Sequence, residues 1–167
     1  AILTNGAGNY AGWLHRYFRY KAYRTQLAPT SGSMGYGLPA AVSAKLAHPE
    51  RTVVCLAGDG CFQMSMQEFG TAVQYGANII VIVVNNGVYG TIRMHQQKTY
   101  PDRPSGTDIR NPDFAALARS YGGFGATITK TEQFSDAFAA ALAAKAPAIL
   151  DVQTDPRAVT TRSSNAS

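Results

Sequence analysis

The segment "NIIVIVVN", residues 78–85, constrains the fold of this chain more than any other. Six β-branched residues stand in a row with an asparagine at each end. A strand with one wet face alternates apolar and polar residues. This run does not alternate, so it predicts a strand covered on both faces, as in a parallel sheet packed between helices. It is also far too short to cross a bilayer. "TVVCLAG" at 52–58 reads the same way, and "AILT", "GATIT" and "PAILDVQT" read as further strands. Helical patterns lie between them. An aromatic helix is predicted from about Tyr10 to Tyr20, and a small-residue helix over 37–47. A helix over 65–75 places Met66, Phe69 and Val73 on one face. "NPDFAALARSYG" has an Asn cap, an early Pro and a closing Gly. Residues 132–145 carry Phe134, Phe138 and Leu142 at four-residue spacing. Strand and helix in alternation predict an α/β fold, three-layer α/β/α with a mainly parallel central sheet. The polar stretch from Gln96 to Arg110 reads as a long loop of the kind that carries function.

The chain has 167 residues, 46% of them hydrophobic, which suits one domain with a sizeable core. We expect the folded domain to span residues 1–156, with a flexible tail over 157–167. "AILTNG" begins mid-pattern, as expected of a piece of a longer protein. The formal charge is +5, but the basic residues are scattered apart from His15, Arg16, Arg19, Lys21 and Arg24. No recognition motif accompanies that cluster, which argues against nucleic acid. No apolar run suits a membrane partner. Cys55 and Cys61 have neither metal nor redox spacing, so a reducing, cytoplasmic location is expected.

In a parallel sheet, ligands gather beyond the carboxyl ends of the strands. Two strands here end in unusual polar residues: "GDG" at 58–60 and "NNG" at 85–87. Between Gly60 and Asn85 lie 24 residues, enough for one crossover helix and the returning strand. If the two strands are neighbours, Asp59 and Asn86 emerge about 5 Å apart. A lone Asp-Gly is usually just a turn. With Asn86 beside it, one carboxylate and one amide oxygen suit a hard divalent cation, and magnesium completes its shell with water and phosphate oxygens. The helix opening after Gly60 offers free N–H groups to that phosphate. Glu68 reads as a helix-end or solvated acid. "GAGNYAG" is a loose dinucleotide fingerprint, one residue too long and with no acid before Glu50. A nicotinamide dinucleotide domain is therefore a weak alternative.

"GDG", 24 residues and "NN" together resemble the diphosphate-binding signature of thiamine diphosphate enzymes, and "TSGSMGYGLPAAVSAKLAHP" at 30–49 resembles their pyrimidine-side segment. The likeness runs from "AILTNGAGNY" to "PAILDVQTDP". The chain is similar to the carboxy-terminal, diphosphate-binding domain of the acetolactate synthase, pyruvate oxidase and benzoylformate decarboxylase superfamily, and to acetolactate synthase-like proteins in particular. The resemblance implies thiamine diphosphate and Mg2+ as cofactors. It implies Asp59, Asn86 and the backbone carbonyl of Val88 as metal ligands. Gly60 and Cys61 then hold diphosphate, Met34 wedges under the cofactor, and the Gly32 carbonyl meets the pyrimidine amino group. Asn9 and Tyr10 stand where related synthases carry Gln-His near the diphosphate, and Tyr89 joins the cofactor contacts. His95 stands where acetolactate synthases carry a tryptophan. It reads either as a substrate contact or as a surface histidine.

By the same resemblance the parent enzyme is a decarboxylase or carboligase, a lyase or transferase acting on a 2-oxo acid. The glutamate that activates the cofactor comes from a pyrimidine-binding domain of the same or a neighbouring subunit. A homodimer or homotetramer is expected of the full-length protein, and FAD only through a domain outside this chain. The isolated chain is expected to be inactive. The other class to weigh is a cofactor-binding module without catalysis.

Overall fold

The structure, a computed structural model, describes residues 1–158 together with Thr160 and Thr161. In chain order the elements are β1 (Ile2–Asn5), α1 (Ala11–Tyr17), β2 (Gln26–Leu27), α2 (Gly37–Ala47), β3 (Val53–Gly58), α3 (Asp59–Gln63) and α4 (Glu68–Gln74). Then follow β4 (Ile80–Asn85), α5 (Gly90–Thr99), α6 (Phe114–Ser120), β5 (Phe124–Ile128), α7 (Gln133–Ala143) and β6 (Ala148–Gln153). The strands form one six-stranded sheet in the order β2-β1-β3-β4-β6-β5. Every pairing is parallel. This is the three-layer α/β/α fold that the alternation predicts.

The sheet is buried on both faces, and the strand period of two deals its side chains alternately to two cores. One core takes Val53, Cys55 and Ala57 from β3 with Val81 and Val83 from β4, packed against Leu38, Phe62, Phe69 and Phe114. The other takes Val54, Ile80 and Leu150, covered by Leu14 of α1 and by Phe134 and Phe138 of α7. In α7 the inward stripe is Phe134, Ala137, Phe138 and Ala141, at positions i, i+3, i+4 and i+7. Leu142, expected on that face, sits one position past the stripe, and half of it is exposed.

Other elements depart from the pattern as read. The aromatic helix stops at Tyr17 because Phe18 is extended (ψ 129°). The chain beyond carries Tyr20 onto the second core, edge-to-face with Phe18 at 5.0 Å. The helix expected over 65–75 begins at Glu68, preceded by the separate turn α3. Helix α5 reaches Thr99, so the first four residues of the expected loop, Gln96 to Thr99, are helical. The two-residue edge strand β2 has no periodicity to announce it. Of the expected tail, Arg157 pairs with Asp155 at 2.7 Å and the Thr161 carbonyl accepts from Arg16 at 3.3 Å. The rest of that tail, residue 159 and residues 162–167, lies outside the described residues.

Candidate functional site

The strand order reverses at β1: the chain steps outward to β2, then returns to place β3 on the other side. Such a switch point leaves a crevice beyond the carboxyl ends of the two diverging strands. Here it is a cavity of about 350 Å³. Its walls are the turn after β1, the turn after β3, the turn after β4 and the start of α5.

β3 and β4 are hydrogen-bonded neighbours in register, Gly58 opposite Val84. Asp59 follows at once, only 3% exposed. Its Oδ1 accepts from the Gly60 N–H at 2.9 Å. Its Oδ2 accepts from the Gly87 N–H at 2.8 Å and from Asn111 Nδ2 at 2.7 Å. All three donors are neutral, and among the described residues Asp59 has no ion-pair partner. A buried carboxylate in this setting lacks the countercharge that ordinarily accompanies one.

The turn after β4 wraps around the same carboxylate. Gly87, at φ +68°, swings the chain so that its own N–H meets Asp59 while Asn86 Oδ1 accepts from the Val88 N–H at 3.1 Å. Val88 is buried and bridges to Asp108. The bridge's hydrogen bonds use the neighbours, Tyr89 N–H to the Thr107 carbonyl and Ile109 N–H to the Gly87 carbonyl, both 2.8 Å. The Val88 carbonyl accepts no hydrogen bond from the described residues. Asp59, Asn86 and Val88 all line the cavity. A buried uncompensated carboxylate, an amide oxygen and an unpaired carbonyl form a hard oxygen donor set, which suits magnesium. Among the described residues, no three His, Cys, Asp or Glu side chains come together as an alternative.

The glycines on either side of Asp59 admit two aromatic rings. A Cβ on Gly58 would lie 2.7 Å from Tyr10 Cδ1, and one on Gly60 would lie 2.6 Å from Tyr89 Cε1. Tyr10 reaches past Gly58 to donate its hydroxyl hydrogen to Cys61 Sγ at 3.2 Å. Burial first, and then the neighbouring Cys61, push the Tyr10 phenol well above its ordinary range. Cys61 Sγ also accepts from the Gly35 N–H at 3.2 Å. Ser65 Oγ donates to the Gly35 carbonyl at 2.8 Å, and the Ala7 N–H donates to the Ser33 carbonyl at 3.2 Å. These bonds pin the "GSMGYG" loop between the turns after β1 and β3, with Met34 facing the cavity.

The structure thus brings Asn9, Tyr10, Met34, Asp59, Gly60, Cys61, Asn86, Val88 and Tyr89 to one cavity. Asn9 is held by its N–H to Thr91 Oγ1 at 3.1 Å and by its amide to Met94 Sδ at 3.5 Å. Gly32 (φ +68°) is exposed and stands outside the lining, and so is His95. His95 continues the α5 face of Thr91 and Ile92 one turn farther from the cavity. Glu68 opens α4 and accepts from Thr71 Oγ1 at 2.8 Å, a helix-end role.

Asn111 was expected to cap α6. The cap is Asp113 instead, whose Oδ1 accepts from the Ala116 N–H at 2.8 Å. Pro112 separates the two, which leaves the Asn111 amide free to turn toward Asp59. "NPD" offers two capping residues for one helix end, and that surplus was the available signal. Trp13 and Thr154, which also line the cavity, carried none.

Residues 6–152 match the family described as thiamine pyrophosphate enzyme, C-terminal TPP binding domain. The chain belongs to that family. It is 41% identical over 155 residues to an acetolactate synthase of Arthrospira platensis, covering 92% of this chain and 27% of that protein. It is 40% identical over 154 residues to an acetolactate synthase large subunit of Parasynechococcus marenigrum, covering 91% and 25%. Among solved structures, it is similar to the thiamine diphosphate-dependent 4-hydroxybenzoylformate decarboxylase of Rhodococcus jostii RHA1. That match has a TM-score of 0.85 and 35% identity, over 93% of this chain and 29% of that one. The chain therefore spans about a quarter of the length of these relatives. As a TPP binding domain it places its cavity at the β1/β3 switch point, and none of its described helices is long and apolar enough to cross a membrane.

Proposed function

We propose that this chain is the diphosphate- and magnesium-binding domain of a thiamine diphosphate-dependent 2-oxo acid decarboxylase or carboligase, acetolactate synthase-like. The observation that carries the reading is Asp59: a buried carboxylate with no ion-pair partner among the described residues, set beside the Asn86 amide oxygen and the Val88 carbonyl, which accepts no hydrogen bond from those residues. These three groups would hold Mg2+, whose remaining positions suit phosphate oxygens and water. The bound cofactor supplies the reactive carbon and the electron sink for 2-oxo acid chemistry.

The residues of this chain bind and orient. Gly60 and Cys61, at the start of α3, stand where the diphosphate would sit, the Gly60 N–H being held by Asp59 Oδ1 at 2.9 Å until phosphate competes for it. Met34, held by the pinned 31–36 loop, supports the cofactor from below, with Gly32 beside the pyrimidine. Asn9, Tyr10 and Tyr89 close the cavity walls and exclude water. His95, one turn along α5, serves the substrate end. The domain takes residues 1–156, and the two free buried cysteines suit a reducing cytoplasm.

Met34, Tyr36 and Met64 are all more than a third exposed, and Gly35, between the first two, lies against Met64. This apolar rim suits a pyrimidine-binding domain of the same or a neighbouring subunit, in a homodimer or homotetramer. That domain would bring the acid which activates the cofactor, so the chain alone is expected to turn over no 2-oxo acid.

The test is Asp59→Ala in the full-length protein. Removing the only carboxylate of the donor set should weaken magnesium-dependent binding of thiamine diphosphate by more than about 100-fold, read by titration calorimetry. Unchanged binding would overturn the assignment.

A further inference from the structure

Asp59 is held by more than its own turn. Asn111 approaches from a segment 52 residues away in sequence and engages both amide hydrogens and the amide oxygen. Nδ2 donates one hydrogen to Asp59 Oδ2 and the other to Asn85 Oδ1, both at 2.7 Å. Oδ1 accepts from Gln63 Nε2 at 2.7 Å. This pattern fixes the amide's orientation. A flip would turn Oδ1 toward two acceptor oxygens and Nδ2 toward a donor nitrogen. The chain of bonds continues from Asn85 Nδ2 to Asp151 Oδ1 at 2.9 Å, and Gln153 Nε2 donates to Asp151 Oδ2 at 2.9 Å.

The segment that delivers Asn111 is itself fastened to the turn after β4. Ile109 N–H donates to the Gly87 carbonyl, and Tyr89 N–H donates to the Thr107 carbonyl. Arg93 Nε donates to Thr107 Oγ1 at 2.8 Å, and Arg93 pairs with Asp108 at 2.7 Å. Two residues after Asn111, Asp113 caps α6. The amide therefore sits on a short tether fixed at both ends.

The consequence concerns which metal fits. With Oδ2 taken by the Gly87 N–H and the Asn111 amide, and Oδ1 by the Gly60 N–H, the carboxylate has one orientation left. A carboxylate fixed in one orientation presents one oxygen at a set position, as octahedral Mg2+ requires. A carboxylate free to rotate can also turn both oxygens on a larger, less demanding cation such as Ca2+. We propose that Asn111 is a positioning residue that fixes the Asp59 carboxylate and thereby sets the site's preference for a small octahedral cation over a larger one. The proposal rests on the metal-site reading above.

The test uses the full-length protein with saturating thiamine diphosphate. Mn2+ binding is followed by the electron paramagnetic resonance signal of the free ion, with Mg2+ and Ca2+ as competitors. Asn111→Ala is expected to bind Mn2+ about tenfold more weakly, the lower end of what removing a ligand's support costs, and to lose much of its Mg2+-over-Ca2+ preference. Unfolding in the presence of EDTA is measured alongside. A lowered unfolding midpoint with unchanged Mn2+ affinity and an unchanged Mg2+/Ca2+ ratio overturns the positioning role. Asp59→Ala is run in the same titration: if it still binds Mn2+ like wild type, the metal-site reading itself fails. Gln63→Ala frees only the far side of the Asn111 amide and carries the test if Asn111→Ala does not fold. It should shift affinity and ratio in the same direction by a smaller factor, and no shift in either overturns the proposal.

Discussion

Gly60→Ala sets two effects of opposite sign against each other. Gly60 lies in the helical turn α3. In a helix, alanine is favoured over glycine by up to about 1 kcal/mol. Against that stands space. The new Cβ would lie 2.6 Å from Tyr89 Cε1, 3.0 Å from Tyr89 Cδ1 and 3.1 Å from Ile109 Cδ1. Carbon atoms rest about 3.5–4.0 Å apart, so the Tyr89 ring has to retreat by roughly 1 Å. The backbone that carries the ring cannot yield, so the ring must turn on its own side-chain bonds. The Tyr89 N–H is held by the Thr107 carbonyl, its carbonyl by the Arg93 N–H, and Ile109 by Gly87. Forcing one carbon into such a site costs about 1–3 kcal/mol. At the middle of that range crowding wins, and the net loss is up to about 2 kcal/mol once the full propensity gain is subtracted. For a chain of this length that lowers the melting temperature by up to about 8 °C. Thermal unfolding followed by circular dichroism, wild type beside variant, measures it. Adding Tyr89→Ala removes the obstacle, so the double variant should lose less than the sum of the two single losses. A Gly60→Ala protein that melts at or above the wild-type temperature would refute the reasoning, because helix propensity alone would then govern the site.

Two further outcomes follow from buried titrating groups. Burial, opposed in part by hydrogen bonds from Asn85 and Gln153, holds the Asp151 carboxyl above its ordinary value near 3.8. The folded state then binds this proton more tightly than the unfolded state, so stability falls as pH rises from about 3.8 through the raised folded value. Asp151→Asn should flatten that slope, as urea unfolding across pH will read, although the amide can keep only one of the two bonds now accepted from Asn85 and Gln153. Cys55 is fully enclosed and its thiol is pushed up to about 12, chiefly by burial. Iodoacetamide at pH 8 should therefore leave Cys55 unmodified in the native chain and label it only on unfolding, as peptide mass mapping will show. Rapid native labelling would refute its burial.

The sequence by itself determined the layers. Six β-branched residues in a row at 79–84 admit one kind of strand, buried on both faces, and in the structure Val81 and Val83 serve one core while Ile80 and Ile82 serve the other. It also determined that Asp59 and Asn86 end successive strands, because strand period and turn chemistry are local properties of neighbouring residues. Strand order was not local. That β3 and β4 pair, and that the sheet reverses beside β1 to open the cavity, depends on the path of the whole chain. The two-residue β2 exists only because β1 offers it an edge. The glycines flanking Asp59 looked like turn residues. Their neighbours show that they make room for Tyr10 and Tyr89, rings that arrive from elsewhere in the chain. Asn111 makes the same point most directly. Its sequence context said helix cap, and Asp113 took that role. The destination of the Asn111 amide was decided by a loop stitched to Gly87 and Tyr89 and by a carboxylate 52 residues away. A short polar side chain finds its partner through the tertiary path of the backbone, and no periodicity in the sequence records that path.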